Sequence, residues 1–250
     1  IVLFAVINIL YFIVNPVKLY ITIKGFRRGK EINVTKKELE SIKEGELPLY
    51  TIFVPLYKEA ETLPHIIRNV ARLDYPKEKL DVKIILEEAD NETIEAAKKL
   101  GLLGDTTSQN QGKTEPPEKG FEVVIAPSAD IKTKPRACNF ALKRAVGEFC
   151  VIYDAEDNPD PDQLKKAICA FHKLEKDYIC LQAKLNYYNA TQNILTKWFT
   201  LEYHFWFDYY LPGLVRINAP VPLGGTSNHF RTEALKQIGG WDPYNVTEDA

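Results

Sequence analysis

Residues Ile1 to Ile23 are apolar or aromatic at nearly every position, broken only by Asn8, Asn15-Pro16 and Lys18. A membrane-spanning helix needs about 20 such residues, so this run predicts a transmembrane segment over 1–23, with Asn15-Pro16 a candidate division between a span and an interfacial piece. A cleaved leader is the competing reading, but no small-residue cleavage site follows. Lys24, Arg27, Arg28 and Lys30 follow instead. Basic residues beside a span stay on the cytoplasmic side, so the rest of the chain is expected at the cytoplasmic face of a cell membrane. Residues 24–48 are basic and charged, a short amphipathic connector.

From Leu49 the pattern changes to short continuous apolar runs alternating with runs of helical spacing. Tyr50–Val54 predicts a strand closed by Pro55, and Glu59–Leu73 a helix with Leu63, Ile66, Ile67 and Val70 on one face. Val82–Leu86 predicts the second strand, Glu92–Leu100 a helix, and the polar stretch 104–120 with Pro116-Pro117 a loop. Phe121–Ala126 predicts a third strand and Arg136–Val146 a helix ending at Gly147. Phe149–Tyr153 predicts a fourth strand, Asp162–Leu174 a helix begun by Asp160-Pro161, and Tyr178–Gln182 a fifth strand. Such alternation argues for a mostly parallel sheet with helices on both faces. The glycine- and aromatic-rich part from Trp198 to Trp241 does not continue it. Its cluster of Trp198, Phe199, Tyr203, Phe205, Trp206, Phe207, Tyr209 and Tyr210 is expected mainly in a core, with a membrane interface as the other placement.

Composition narrows the picture. The 250 residues are 45% hydrophobic and carry a formal charge of −2, so no basic field points to nucleic acid. Cys138, Cys150, Cys169 and Cys180 lack metal-ligand spacing and are expected as reduced thiols. No methionine occurs, and the abrupt ends at Ile1 and Ala250 suggest a fragment of a longer chain.

In parallel sheets, ligands bind beyond the carboxyl ends of the strands, here just after Val54, Leu86, Ala126 and Tyr153. Asp154-Ala155-Glu156-Asp157 follows the fourth strand. Two carboxylates at i and i+2 can share one Mg²⁺ or Mn²⁺ with substrate phosphates. A solvated acidic turn explains Asp160 and Asp162 but not Asp154, which still belongs to the strand end; Asp157 fits either reading. Tyr57 can lie against a base and Glu59 can bond a ribose or base edge, although Glu59 also suits a helix first turn. Any one of the carboxylates in Glu87-Glu88-Ala89-Asp90, Glu87, Glu88 or Asp90, can accept from a base N–H, or simply belong to an acidic loop before Asn91. Lys134, in Lys134-Pro135-Arg136-Ala137-Cys138-Asn139, can meet a phosphate as a point charge, or be a surface lysine. Gly224-Gly225 allows close backbone approach. Asp249, in Thr247-Glu248-Asp249, can be a general base or a first-turn acid.

Taken in order, VPLYKE, the acids after the second strand, KPRACN, YDAED, GGTSNHFR, GGWD and TED resemble the processive-type family 2 glycosyltransferases, which include cellulose, chitin and hyaluronan synthases. QAKLNYYN and GGTSNHFR look closest to a cellulose-synthase-like branch. The resemblance covers Leu49 to Ala250 and implies a GT-A catalytic domain over 49–250. It matches Asp154 and Glu156 to the metal-binding motif, with Glu in place of the commoner second Asp, and Asp249 to the catalytic base. Tyr57, Glu87 and Lys134 sit where donor-binding residues lie. The implied activity is inverting transfer from a nucleotide sugar, expected to be a UDP-sugar, to a polysaccharide or lipid-linked acceptor. The family's QxxRW motif and later membrane helices are not in the chain. A metal-dependent nucleotidyltransferase on a related fold is the alternative, and a non-catalytic membrane scaffold a remoter one.

Overall fold

Four parallel strands form one side of the sheet: β1 (Tyr50–Leu56), β2 (Leu80–Glu87), β3 (Phe121–Ala126) and β4 (Phe149–Ile152). β6 (Asn228–Arg231) and β5 (Cys180–Gln182) complete the order β3-β2-β1-β4-β6-β5, with β6 antiparallel to both its neighbours. The computed structural model describes residues 2–26, 31–103 and 120–245. The chain divides into two units, residues 1–33 with 184–223 and residues 34–183 with 224–250; the sheet belongs to the second.

Within the sheet unit, strand alternation assigns the two faces. Tyr50, Ile52, Val54 and Leu56 of β1, Val82, Ile84 and Leu86 of β2, and Phe149 and Val151 of β4 share one buried cluster. That cluster includes α3 (Leu63–Ala71) through Leu63, Ile66 and Val70, and α6 (Gln163–His172) through Leu164, Ile168 and Phe171. α4 (Asn91–Lys99) adds Ala97. The other face packs on α5 (Lys134–Leu142), which crosses β1, β2 and β3. Both faces are therefore covered, which is why the strands read as continuous apolar runs. The unit also holds α2 (Lys36–Glu40), with a Thr35–Glu38 capping box, and α9 (Thr232–Gln237).

The structure corrects several expected boundaries. Pro55 does not close β1, which runs on to Leu56 and pairs Pro55 with Ile85. The β4 ladder ends at Phe53 of β1, where the Tyr153 N–H reaches the Phe53 carbonyl, so on that side the missing proline donor costs no ladder bond. α3 starts at Leu63 rather than Glu59, with Pro64 in its first turn. α5 ends at Leu142, so Gly147 is not its cap. Gly147 instead lies against β1, where a Cβ would come within 2.4 Å of the Thr51 backbone nitrogen. Asp160 does not cap α6; the N-cap is Asp162, without a side-chain bond, and the Asp160 carboxylate pairs with Lys166. β6, short and polar, was not expected. It separates β5 from β4 and makes the sheet mixed. Loop residues 104–119 lie outside the described residues. Cys138 and Cys150 are buried, Cys169 and Cys180 are half-buried, and no disulfide joins any of them among the described residues.

β6 sets a buried histidine against the central strand. The Tyr50 hydroxyl is 2.7 Å from His229 Nδ1, and His229 Nε2 is buried without a hydrogen-bond partner among the described residues. Burial lowers the His229 pKa to about 3, so the folded chain keeps it neutral. An unfolded chain takes up that proton below about 6.5. Stability from this residue is therefore full above that value and falls as pH drops toward about 3. At pH 5 the expected loss relative to pH 7 is about 2 kcal/mol. In urea unfolding at the two pH values, the native chain is expected to lose that much more than His229→Gln. Equal losses would show that His229 is not held neutral.

The first unit holds α1 (Val2–Phe26), α7 (Ile194–Phe205), a π-helical turn (Trp206–Tyr210) and α8 (Leu211–Arg216). α1 extends three residues past the expected span and is long and apolar enough to cross a membrane by length and composition. Only Ile21, Thr22 and Gly25 of α1 are buried. They meet the π turn and α8 at two glycines: a Cβ on Gly25 would sit 1.8 Å from the Tyr209 carbonyl oxygen, and one on Gly213 would sit 2.1 Å from that of Ile21.

Candidate active site

The carboxyl ends of β1, β2, β3 and β4 surround a cavity of about 580 Å³, within the range of small-ligand sites. It lies on the β1–β4 junction, where the order of strand addition reverses, so the chains leaving those strands diverge and leave a crevice.

Each wall follows from a strand end. Beyond β1, Lys58 takes a left-handed conformation (φ 58°) and its N–H donates to Asp90 Oδ2 at 2.5 Å. The Glu59 N–H donates to the Thr93 hydroxyl at 3.2 Å. This tether delays α3 and leaves Tyr57 exposed on the rim, with Lys58 Nζ 5.3 Å from its ring centre. Asp90 also caps α4 through the Thr93 N–H. Burial pushes its pKa up, but bonds from Thr93 and Lys58 outweigh that and hold the carboxyl below its usual range. Asp90 therefore builds the wall rather than lining it.

Beyond β2, Glu87 lines the cavity and Glu88 does not. The Glu88 carboxylate accepts the Ser128 N–H at 2.8 Å and is held below its usual pKa by Ser128. Burial raises the Glu87 pKa, against the lowering influence of Arg136 and Lys132. Arg136 Nη1 lies 3.5 Å from Glu87 Oε2 and is buried without a hydrogen bond among the described residues.

Lys134 opens α5, and its Nζ is 2.5 Å from Asp154 Oδ1 across the cavity. The Asp154 N–H donates to Asp157 Oδ2 at 2.7 Å. The Thr226 hydroxyl donates to the same Asp157 oxygen and lies 3.1 Å from the Ile152 carbonyl oxygen. Asn69 of α3 donates to the Asp157 carbonyl at 2.7 Å. Asp157 is thus a bracket behind Asp154. Burial raises its pKa to about 6, opposed by the Thr226 and Asp154 bonds. Gly224-Gly225-Thr226-Ser227-Asn228-His229 enters at this bracket, its first N–H held by Gln182 Oε1 at 2.5 Å.

The structure therefore brings together Tyr57, Glu59, Glu87, Lys134, Asp154 and Glu156. It leaves Glu88 outside, and Asp249 lies outside the described residues. Lys132, Ser128 and Thr133 also line the cavity, and the sequence did not mark them, because nothing in a polar loop after a strand distinguishes lining from solvated positions.

Among the described lining residues, Glu59, Glu87, Asp154 and Glu156 face Lys132 and Lys134, with Arg136 beside Glu87. Burial, then the charges of Glu156 and Asp154, raise the Glu59 pKa. Asp154 and Glu156 suit a hard divalent ion by donor type. Among the described residues no three His, Cys, Asp or Glu side chains converge into a protein cage. Two carboxylates would leave the remaining positions of such an ion to water and substrate phosphates.

A mixed sheet with this switch-point cavity is the GT-A fold of nucleotide-sugar transferases. The chain belongs to the glycosyltransferase-like family 2, whose sequence profile matches residues 48–250. It is 25% identical over 210 residues to a probable glucomannan 4-β-mannosyltransferase of Oryza sativa subsp. japonica, covering 82% of this chain and 34% of that protein. It is 24% identical over 257 residues to another of Arabidopsis thaliana, covering 98% and 44%. The chain thus spans between a third and a half of these relatives. Among solved structures it resembles a mannosyltransferase of Pyrobaculum calidifontis in complex with GDP-Man and Mn²⁺, with a TM-score of 0.63 and 20% identity over 92% of this chain and 56% of the other.

Proposed function

We propose that this chain is the catalytic part of a membrane-attached, inverting glycosyltransferase that moves a sugar from a nucleotide sugar to a polysaccharide or lipid-linked acceptor at the cytoplasmic face. The observation that carries the reading is the pairing of Lys134 with Asp154 across a cavity also lined by Glu59 and Glu156. A diphosphate brings negative charge that Lys134 can meet and an oxygen set that completes a metal shell begun by Asp154 and Glu156.

In this reading Tyr57 stacks on the nucleotide base, and Glu59 and Glu87 accept hydrogen bonds from base or ribose. Lys134 turns from Asp154 toward the diphosphate as a point charge. Asp157, held by Thr226 and Asn69, fixes the Asp154 backbone and is a positioning residue. A bound Mg²⁺ or Mn²⁺ supplies Lewis-acid neutralisation of the leaving diphosphate. Asp249 takes the proton from the acceptor hydroxyl that attacks the anomeric carbon. Family membership favours this over nucleotidyl transfer, which has no need of a base on the acceptor side. The apolar α1, followed by Lys24, Arg27, Arg28 and Lys30, supports attachment with the catalytic unit on the cytoplasmic side.

The two mannosyltransferase relatives and the GDP-Man complex make GDP-Man the first donor to test beside UDP-sugars. Calorimetry on the full-length protein with Mn²⁺ or Mg²⁺ is expected to show metal-dependent binding of one nucleotide sugar, with release of the free nucleoside diphosphate once acceptor is added. Metal-independent binding, or release of pyrophosphate instead, would overturn the reading.

A further inference from the structure

Among the described residues, α7 has a face that no other segment covers. Ile194, Trp198, Leu201 and Phe205 recur at i, i+4, i+7 and i+11, within an arc of about 60° at 3.6 residues per turn. Their exposures are 66, 64, 66 and 43%, and no residue of α7 is buried. The expectation of a core position for the aromatic cluster therefore fails for Trp198 and Phe205. Tyr203, on the opposite side of the helix, packs on the small core of Ile21, Phe207, Leu211 and Leu214. The stripe is the outer face of a helix whose inner face is already satisfied. Four large apolar side chains in line are too many for the scattered exposure of an ordinary surface.

Three observations within this unit identify what covers the stripe. First, α1 is buried against the π turn and α8 in its last turns, at Ile21, Thr22 and Gly25, just where Lys24 ends the apolar run. The Phe26 and Tyr209 rings lie 4.5 Å apart at the same level. A helix fastened there sits where a span leaves the hydrocarbon, not at its middle. Second, Ile194–Arg216 is continuous helix but carries Lys197, Glu202, His204 and Asp208 around its other faces. Charged side chains at mid-bilayer cost about 2.5 kcal/mol or more each, so this helix does not cross. One apolar stripe with charged flanks is the pattern of a helix lying in the boundary between headgroups and acyl chains. Third, Trp198, Trp206 and Tyr210 are the residue types that gather at that boundary, and Trp206 and Tyr210 stack with ring centres 4.9 Å apart.

We infer that α7 is a second membrane contact: it lies in the plane of the bilayer surface with Ile194, Trp198, Leu201 and Phe205 immersed among lipid chains. The inference rests on the reading of α1 as a membrane span. Lipid binding by this unit would then have two parts, a crossing helix and a floating one, joined at Gly25 and Gly213.

The test places a photoreactive p-benzoylphenylalanine at position 201 or, separately, 198 in the full-length protein reconstituted into phosphatidylcholine–phosphatidylglycerol vesicles. After irradiation, adducts are read by mass spectrometry, and vesicle attachment is scored independently by carbonate-resistant flotation. Lipid adducts forming the majority product at both positions are the expected result. Adducts to another segment of the chain, or to a second copy, would overturn the proposal by naming a protein as the occupant. So would flotation without adducts, which would leave the stripe in water while sparing α1. Failure to float at all would overturn the reading of α1 and the inference with it.

Discussion

Asp154→Asn is expected to weaken metal-dependent donor binding on the order of 10²-fold, about 3 kcal/mol. The side chain keeps its shape and loses its charge, so one of two proposed protein ligands can no longer balance the metal, and the Lys134 ion pair at 2.5 Å is gone as well. The second loss complicates the first, because Lys134 is released toward the diphosphate and recovers part of the affinity as a point charge. Two measurements separate these contributions. Donor titrations of the variant with and without Mn²⁺ should coincide, since metal no longer helps. Lys134→Met, in contrast, should weaken binding while preserving the dependence on metal. If Asp154→Asn retains the full metal enhancement, Asp154 is not a ligand and the carboxylates of Glu59 and Glu156 become the pair to test.

Asp249→Asn is expected to act on the other half of the reaction. Its loss removes a base from the acceptor side, and a lost general base lowers transfer by roughly 10²–10⁴-fold. Donor affinity should barely change, because the residues proposed to hold the donor are the cavity-lining ones at the strand ends. The deficit should therefore fall on kcat at saturating donor, with the apparent donor constant near that of the native protein. A large rise in donor Kd with unchanged kcat would move Asp249 from the acceptor to the donor. Near-normal transfer would remove it from the chemistry and leave Glu248 as the next residue to examine.

The sheet was legible in the sequence because parallel strands buried on both sides must be apolar throughout. The almost wholly buried β1 and β4 show this, while β3, on the sheet edge and only partly buried, still falls on Phe121–Ala126 as expected. What the sequence conceals is set by contacts between distant segments. The late start of α3 comes from Asp90, 32 positions on, capturing the Lys58 N–H. β6 has no periodicity to betray it; it is held in the sheet by β4 and β5. The acidic run after β4 was recognisable, but the different standing of its members was not. Asp154 faces the cavity, whereas Asp157 turns back toward Thr226, 69 positions away. Glu87 and Glu88 are neighbours with opposite environments, one lining the cavity and one tied to a loop N–H. For the aromatic cluster, hydrophobicity says that water is avoided but not whether protein or lipid replaces it.

The pairing of β5 with β6 has a further consequence. These adjacent antiparallel strands are separated in sequence by the whole excursion 184–223, yet its two ends are drawn together by the bond from the Ala183 N–H to the Ser227 carbonyl at 3.1 Å. In effect a hairpin carries a subdomain where a turn would serve. The entropy of closing a loop grows only with the logarithm of its length, about 0.6 kcal/mol for each doubling. Lengthening or trimming that excursion therefore costs the sheet little, because the strand ends it must join stay in the same place. The hairpin is an insertion point at which the helices of residues 184–223 can be exchanged or redesigned while the strand ends that form the cavity keep their register.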